Sequence, residues 1–442
     1  MTTSYNEKQS LTQQTLIFTY FVVNQSEEEE EDVQLIVQHW VRTLNIKLGW
    51  IHDFDKLIVN YVMFICFSLN DIYINICYLY LIQATTFFIF DTFCSLSKLL
   101  KTFNAHKDCV NSIDYSIFNG GQFICSGSGD KTVNVWDVET NEKIQSFNGH
   151  SGYVYWVKFS PYHYHNNRQN VICSSSHDKT IRFWDIKDNQ QLQIFNEHTD
   201  GVSSIELSSF NNSRYLCSGS ADKTIRLWDI EISKSLHVFN GHTDDIWCVD
   251  FSPLQSNSNK DNSIGVIGGN GYTICSGSSD NTIRIWDIET TEQSILLKGH
   301  DETVMSVKYG SNELGSNGAN TILSGSVDKS VRLWDIRSSQ QVQKFIGHKY
   351  FVYAVEYSSF IINNSEIGYN SNVICSGSLD NTIRFWDIRS NKNVLYMIKG
   401  NDKEDYGIYC LKFLGLKKKE KNNNSGLNLY YGSGGGFIHI WG

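Results

Sequence analysis

Proline is nearly missing from this chain. It has two in 442 residues, Pro161 and Pro253, each closing a Phe-Ser-Pro. Aromatic residues make up 13%, and a proline-poor, aromatic-rich chain suits strands over turns and helices. Metal-type cysteine spacing is missing too. The eleven cysteines form an odd set with no close pair, which argues against a zinc site or a disulfide framework and fits a reducing compartment. Basic tracts are scarce. "KKKEK" at Lys417 to Lys421 reads as a solvated loop, and the net charge of -10 comes largely from the acidic run Glu27 to Asp32, so nucleic acid is not an expected partner. Outside its repeats the chain lacks a glycine-rich phosphate loop, a metal-ligand cluster and a nucleophile elbow. No catalytic residue, cofactor or metal is expected, and the cytoplasm is the expected location.

What the chain does have is repetition. "ICSGSLDNTIRFWDIRS" (Ile374 to Ser390) returns as "ICSGSGDKTVNVWDVET" from Ile124, "ICSSSHDKTIRFWDIKD" from Ile172 and "ICSGSSDNTIRIWDIET" from Ile274. Further copies begin at Leu216 and Ile322. Trp-Asp recurs six times, with a seventh tryptophan, Trp441, followed by glycine, at spacings of 44 to 58 residues. A His marker, mostly Gly-His, precedes each copy except the seventh, which reads Gly400-Asn401. Between the markers lie short strand-like runs. In one unit these are Ile246 to Phe251, "TICSG", "TIRIWDI" and Lys234 to Phe239, separated by turns such as Ser278 to Asn281. Four strands per unit and seven units predict an all-β, seven-bladed β-propeller. Cys125, Cys173, Cys217, Cys275 and Cys375 share one repeat position that Leu323 also fills, the mark of a small buried apolar site.

With these motifs in hand, residues 97–442 resemble the WD-repeat family. The resemblance implies a hydrogen-bonded set in each blade: the loop His, a turn Asp, a strand Ser and the Trp. Here these are His150, Ser174, Asp178 and Trp184 in one blade, and His242, Ser276, Asp280 and Trp286 in another. A turn Asp accepts local backbone N–H groups, and a His held by it is expected to donate onward to the buried hydroxyl. Repeated in six copies, an acid–hydroxyl–Trp set is architecture and not six active sites. In the seventh copy Asn401, Gly435 and Tyr431 replace His, Asp and Ser, so that blade is expected to lack the set and to be the softest. Its fourth strand is expected from "KLLKTF" (Lys98 to Phe103), pairing with the last blade and closing the ring.

The resemblance also implies a rigid interaction platform without catalysis. Long Asn/Gly/Ser inserts, Leu254 to Gly271, Gly310 to Asn320 and Gly415 to Asn428, fall between first and second strands, on the family's bottom face. The top face keeps compact loops. Its mouth is expected to be lined by Tyr153, Tyr155, Asp245, Trp247, Met305, Phe351, Tyr353 and Tyr409, a set suited to holding a peptide or protein partner. Packing between neighbouring blades is the alternative role for these side chains. Trp-Asp-x-Arg, ending at Arg337 and Arg389, is similar to the docking signature of substrate receptors for cullin–RING ubiquitin ligases, although short motifs of this kind recur by chance. An enzyme with a site in the central pore is the rival class, and it needs polar residues unique to one blade.

Residues 1–96 carry no repeat marker and are expected to form a small, partly helical extension. Glu27 to Trp50 has an apolar helical stripe with acids at its N-terminal end. Ile72 to Phe90 is uncharged over 19 residues, near the membrane-spanning length. Asn75 and Gln83 interrupt it, so membrane association is not the favoured expectation.

Overall fold

The computed structural model describes residues 93–94, 97–118, 121–252, 273–310, 320–358, 373–388, 394–415 and 427–442. The expected helix at Glu27 to Trp50, the apolar run 72–90 and most of the three long inserts lie outside the described residues.

Seven four-stranded antiparallel sheets form a β-propeller. Blade 1 runs from Val110 to Phe147, blade 2 from Val154 to Phe195, blade 3 from Val202 to Asn240 and blade 4 from Ile246 to Lys298. Blade 5 runs from Val304 to Ile346 and blade 6 from Val352 to Lys399. Blade 7 takes three strands from Ile408 to Trp441 and its fourth from Leu99–Asn104. First strands of neighbouring blades pack against one another in an unbroken circuit that returns from blade 7 to blade 1, so they line the axis.

The core lies between blades, because each sheet has two apolar faces to cover. Tyr215, Cys217, Leu227 and Phe239 of blade 3 share one cluster with Ile246, Val249, Ile274 and Trp286 of blade 4. Phe195 of blade 2 stacks on Trp228 of blade 3 at 5.0 Å. Burying a large side chain of this kind stabilises by about 1.5–3 kcal/mol. The repeat cysteines and Leu323 are fully buried. The middle residue of the Ser-Gly-Ser strand marks the closest approach of two blades: a Cβ at Gly277 would come within 2.6 Å of Val304 in the next blade.

The strand Leu99–Asn104 pairs with Phe437–Trp441, placing Thr102 opposite His439 and Phe103 opposite Ile438. Phe103 is 3% exposed and meets Trp136 of blade 1 edge-on at 5.4 Å. It fills the position that Phe147, Phe195 and Phe239 fill in their own blades. The propeller core also starts earlier than the expected boundary at residue 97. Phe93 is buried with Phe385, Ile398, Phe413 and Tyr431 between blades 6 and 7, 5.9 Å from the Phe385 ring.

A chain starting at residue 93 keeps the closing strand, whereas one starting at residue 105 leaves Phe437–Trp441 as an unpaired apolar edge, which invites edge-to-edge association. The shorter chain is expected to elute as larger species in size-exclusion chromatography and the longer one as a monodisperse peak. Identical elution of the two would show that the ring does not depend on this strand.

Candidate functional site

Each blade is locked by side chains that meet under its top loops. In blade 2, His150 Nδ1 lies 2.8 Å from Asp178 and its Nε2 lies 2.8 Å from Ser174 Oγ. Trp184 Nε1 donates to the same hydroxyl at 2.8 Å. In blade 4 the matching distances are 2.7 Å for His242 to Asp280, 2.7 Å for His242 to Ser276 and 2.9 Å for Trp286 to Ser276. Blades 3, 5 and 6 repeat the arrangement. In blade 1 His106 bridges Asp130 and Ser126, but the Trp136 indole N–H has no partner.

Electrostatics set the direction of this chain. Burial holds His150, His242, His300 and His348 below the usual imidazole range, against the raising effect of their aspartates, so the rings are neutral at pH 7. A carboxylate only accepts, which puts the single ring proton on Nδ1. The serine hydroxyl therefore donates to Nε2 and accepts from the indole. This reverses the expected donation from His to hydroxyl. Burial pushes the Asp178 carboxyl up, but bonds from His150, Thr180 and the Ser151 backbone outweigh it and hold the group far below its ordinary value. Asp280 behaves alike.

Blade 7 was expected to lack such a set, and here the structure differs. Its network is built with the roles exchanged. Asp405, fully buried, comes from the loop, and His439 comes from the third strand, with Nε2 2.7 Å from Asp405. Asp405 also accepts from the Asn401 backbone N–H at 2.7 Å and from the Tyr431 hydroxyl at 3.4 Å. His439 Nδ1 lies 3.0 Å from Thr102 Oγ1 on the closing strand. Burial opposes ionisation of Asp405, but His439 and the backbone hold its carboxyl below the ordinary value. Gly435 stands where other blades carry Asp because a Cβ there would overlap the Glu404 carbonyl. Asn401 itself is exposed. The sequence signal was His439 in place of the Arg or Asn that precedes each Trp by two residues.

The mouth of the axis is set by a second repeated device. In all seven first strands the ladder skips the residue after the leading Val or Ile. The skipped residues are Asn111, Tyr155, Ser203, Trp247, Met305, Tyr353 and Tyr409. A bulge of this kind re-aims its side chain. Tyr155 of blade 2 meets Trp247 of blade 4 edge-on at 6.2 Å, across the small Ser203 of blade 3. Tyr353 and Tyr409 stack at 4.7 Å. Among the described residues the aromatics thus form two pairs and not one cluster. Trp247 Nε1 donates to Ser279 at 2.8 Å. Tyr153 is 49% exposed and stacks on His177 at 6.2 Å, while Tyr155 meets the same ring edge-on. Met305 and Phe351 are half-buried. Burial, Asp244 and Asp200 raise the Asp245 carboxyl above its usual value. His177 was not foreseen; its signal was a bulky residue where other blades place Gly, Ala, Ser, Val or Leu.

Deeper in the channel lies a ring that the sequence reading missed. The fourth residue after each leading Val or Ile is charged: Asp114, Lys158, Glu206, Asp250, Lys308, Glu356 and Lys412. Lys158 lies 2.8 Å from Glu206, and Lys412 lies 3.7 Å from Asp114. Lys308 reaches Glu206 at 3.7 Å and Asp250 at 3.6 Å. Burial disfavours these charges, yet the carboxylates keep Lys158 and Lys308 ionised, with pKa raised. The period of the charge was legible in "VKF", "IEL", "VDF" and "VKY" as a recurring polar position inside otherwise apolar strands.

Of the two arginines in the docking motif, Arg337 is exposed, with the Asn320 side-chain oxygen accepting from its guanidinium at 2.8 Å. Arg389 lies outside the described residues. Among the described residues no group of His, Cys, Asp and Glu is placed to hold a metal, and no helix is long and apolar enough to cross a membrane.

A closed ring of blades, five of them locked by a complete His–Asp–Ser–Trp set, defines a class of repeat propellers with a shared scaffold and a variable mouth. The chain belongs to the WD domain, G-beta repeat family, whose model matches residues 97–137, 141–185, 189–229, 233–287, 291–335 and 339–387, more than half of the chain. Each matched segment straddles two blades, beginning on one blade's fourth strand and ending on the next blade's third. Among curated proteins, the peroxisomal targeting signal 2 receptor of Mus musculus is 36% identical over 63 residues, covering 14% of this chain and 20% of that protein. Coatomer subunit beta'-1 of Arabidopsis thaliana is 40% identical over 62 residues, 14% of this chain and 6% of the relative. Nuclear distribution protein PAC1 of Mycosarcoma maydis is 36% identical over 58 residues, 13% and 12% of the two chains. The matches therefore span a fifth or less of these relatives.

Two expectations follow. His242→Ala and His439→Ala should each lower the unfolding free energy by about 1–3 kcal/mol, the cost of orphaning buried partners. Asn401→Ala should cost much less. Urea titrations test this, and equal losses for His439→Ala and Asn401→Ala would show that the exchanged network carries no stability. Lys308→Met removes the nearest counter-charge of Asp250, while Glu206 keeps Lys158, so the folded pKa of Asp250, already raised by burial, rises further above the unfolded one. Stability contributed by protonating such groups is present at low pH and lost as pH rises. The deficit of the variant should therefore be about 1–3 kcal/mol at pH 7, below the about 3–5 of a fully buried pair, and should shrink at pH 5. A pH-independent deficit would contradict the ring electrostatics.

Proposed function

We propose that the protein is a non-catalytic interaction scaffold that captures a peptide or protein partner at the top mouth of its channel. The observation that carries this reading is the repeated bulge, which takes Tyr155, Trp247, Tyr353 and Tyr409 out of the ladder and leaves them half-exposed at one opening. Paired aromatics beside Asp245 suit a basic side chain, whose charge sits near the carboxylate and whose stem lies on the rings; the cation–π share is about 0.5–2 kcal/mol. The channel charges below are paired with one another, which suits a floor and not a reaction centre. The names of two relatives, a receptor for a targeting signal and a coatomer subunit, are in keeping with protein ligands for this chain. The acidic balance favours such partners over nucleic acid, and the cytoplasm is the compartment we propose. Docking of a ligase adaptor through Arg337 and Arg389 would be an additional, separate surface.

Trp247→Ala is expected to remove about 2 kcal/mol or more of partner binding, the scale of a central anchor, with the thermal transition nearly unchanged. Affinity capture by the full chain and its variant, with bound proteins identified and the melting curve recorded, tests this. A variant that unfolds but whose folded fraction still binds would make Trp247 a core residue and move the binding surface elsewhere.

A further inference from the structure

The loops that carry the mouth differ in kind around the ring. On blades 3 to 5 the residues just before the first strands are Asp200, Asp244, Asp245 and Glu302. Asp244 and Glu302 are exposed, and the Asp200 side chain is 53% exposed. On blades 6 and 7 the corresponding residues are Tyr350, Phe351 and Tyr406, leading inward to the stacked Tyr353 and Tyr409. Tyr350 is 56% exposed and Tyr406 is 68% exposed. Blades 3 to 5 therefore present an acidic arc and blades 6 and 7 an aromatic one.

Neither arc is explained by folding. Two lysines reach the acidic arc: Lys179 lies 4.0 Å from Asp200, and Lys223 donates to the Thr243 carbonyl at 2.9 Å. Four carboxylates against two ammonium groups leave the arc net acidic, and burial, with Asp244 and Asp200 beside it, raises the Asp245 carboxyl above its ordinary pKa. Like charges held together without enough counter-charge favour a cation from outside. On the other side, Tyr406 has φ of 51°, the left-handed region that a bulky residue adopts only at a cost. Its ring is nonetheless turned out to solvent, so the strained backbone gains no burial in return. Lys329 lies 5.9 Å from the Tyr350 ring, which leaves most of that ring uncovered.

We infer that the top face reads a two-part segment of a partner protein: a lysine or arginine seated over blades 3 and 4, joined to an aromatic or large aliphatic residue seated over blades 6 and 7. This rests on the mouth reading above and adds to it a polarity, since a segment with only one of the two parts leaves one arc unmatched. Acidic segments are rejected by the arc.

The test is selection of a phage-displayed random dodecapeptide library on the full chain. Selected peptides are then titrated by fluorescence anisotropy against the full chain and its Asp244→Asn/Asp245→Asn, Tyr406→Ser and Trp247→Ala variants, each checked for an unchanged thermal transition. The expected result is enrichment of sequences that carry a basic residue set apart from an aromatic or aliphatic one. Each lost carboxylate should weaken binding about two- to fivefold, the scale of exposed ion pairs, and Tyr406→Ser should weaken it further. Peptides that need Trp247 but lack basic residues, or that ignore both the Asp and the Tyr406 variants, overturn the two-part reading and leave the mouth reading standing. No enrichment, or enrichment indifferent to Trp247→Ala, overturns both.

Discussion

Everything in this propeller depends on one junction, where the strand Leu99–Asn104 meets the last strand of blade 7. Seven sheets that each bury both faces against neighbours have no stable open form, because an open ring leaves two apolar faces and a free edge. The junction is more than a backbone ladder. Phe103 enters the core against Trp136, and Thr102 touches His439, which in turn holds the fully buried Asp405. Closure and the internal lock of blade 7 are thus a single interaction. That coupling gives the blade with the least regular sequence a lock of its own: Asp405 and His439 stand in for its missing markers, and Thr102 reaches His439 from across the seam.

The axis is organised in two layers by the same first strands. The bulged residue faces the mouth, and three residues further on a charge faces the channel. Because the charges alternate in sign almost all the way round, most find a counter-charge on another blade and the channel is filled with ion pairs. A group entering from the top meets aromatic rings first and this ionic floor next. In the reading proposed above, residues that belong to the scaffold set the depth of the site, and residues that do not take part in the ladder set its selectivity.

Much of this was legible in the sequence because a repeat exposes its own rules. Trp-Asp at regular spacing, the His markers and the Ser-Gly-Ser strands located the blades, and "KLLKTF" located the closure. The mouth residues were legible by position, since they flank the leading Val or Ile. Their pairing was not, because which rings touch depends on the residue between them: only a side chain as small as Ser203 lets Tyr155 meet Trp247 across a blade. The exchanged network in blade 7 was missed for a related reason. A marker search asks for the same residue types at the same places, whereas hydrogen bonding asks only for a donor and an acceptor at the right distance. The charged ring was visible in the text but hidden by its alternation in sign, which breaks residue identity while keeping the period.

The bulge in every first strand has one more consequence. A residue outside the ladder can change identity without altering strand register or the His–Asp locks beneath the loops. The seven bulge positions already hold Asn, Tyr, Ser, Trp and Met side by side on nearly identical blades. Stability and selectivity are therefore inherited separately: a duplicated copy of this gene product could acquire a new ligand through a few changes at these positions, while the ring that carries them stays the same.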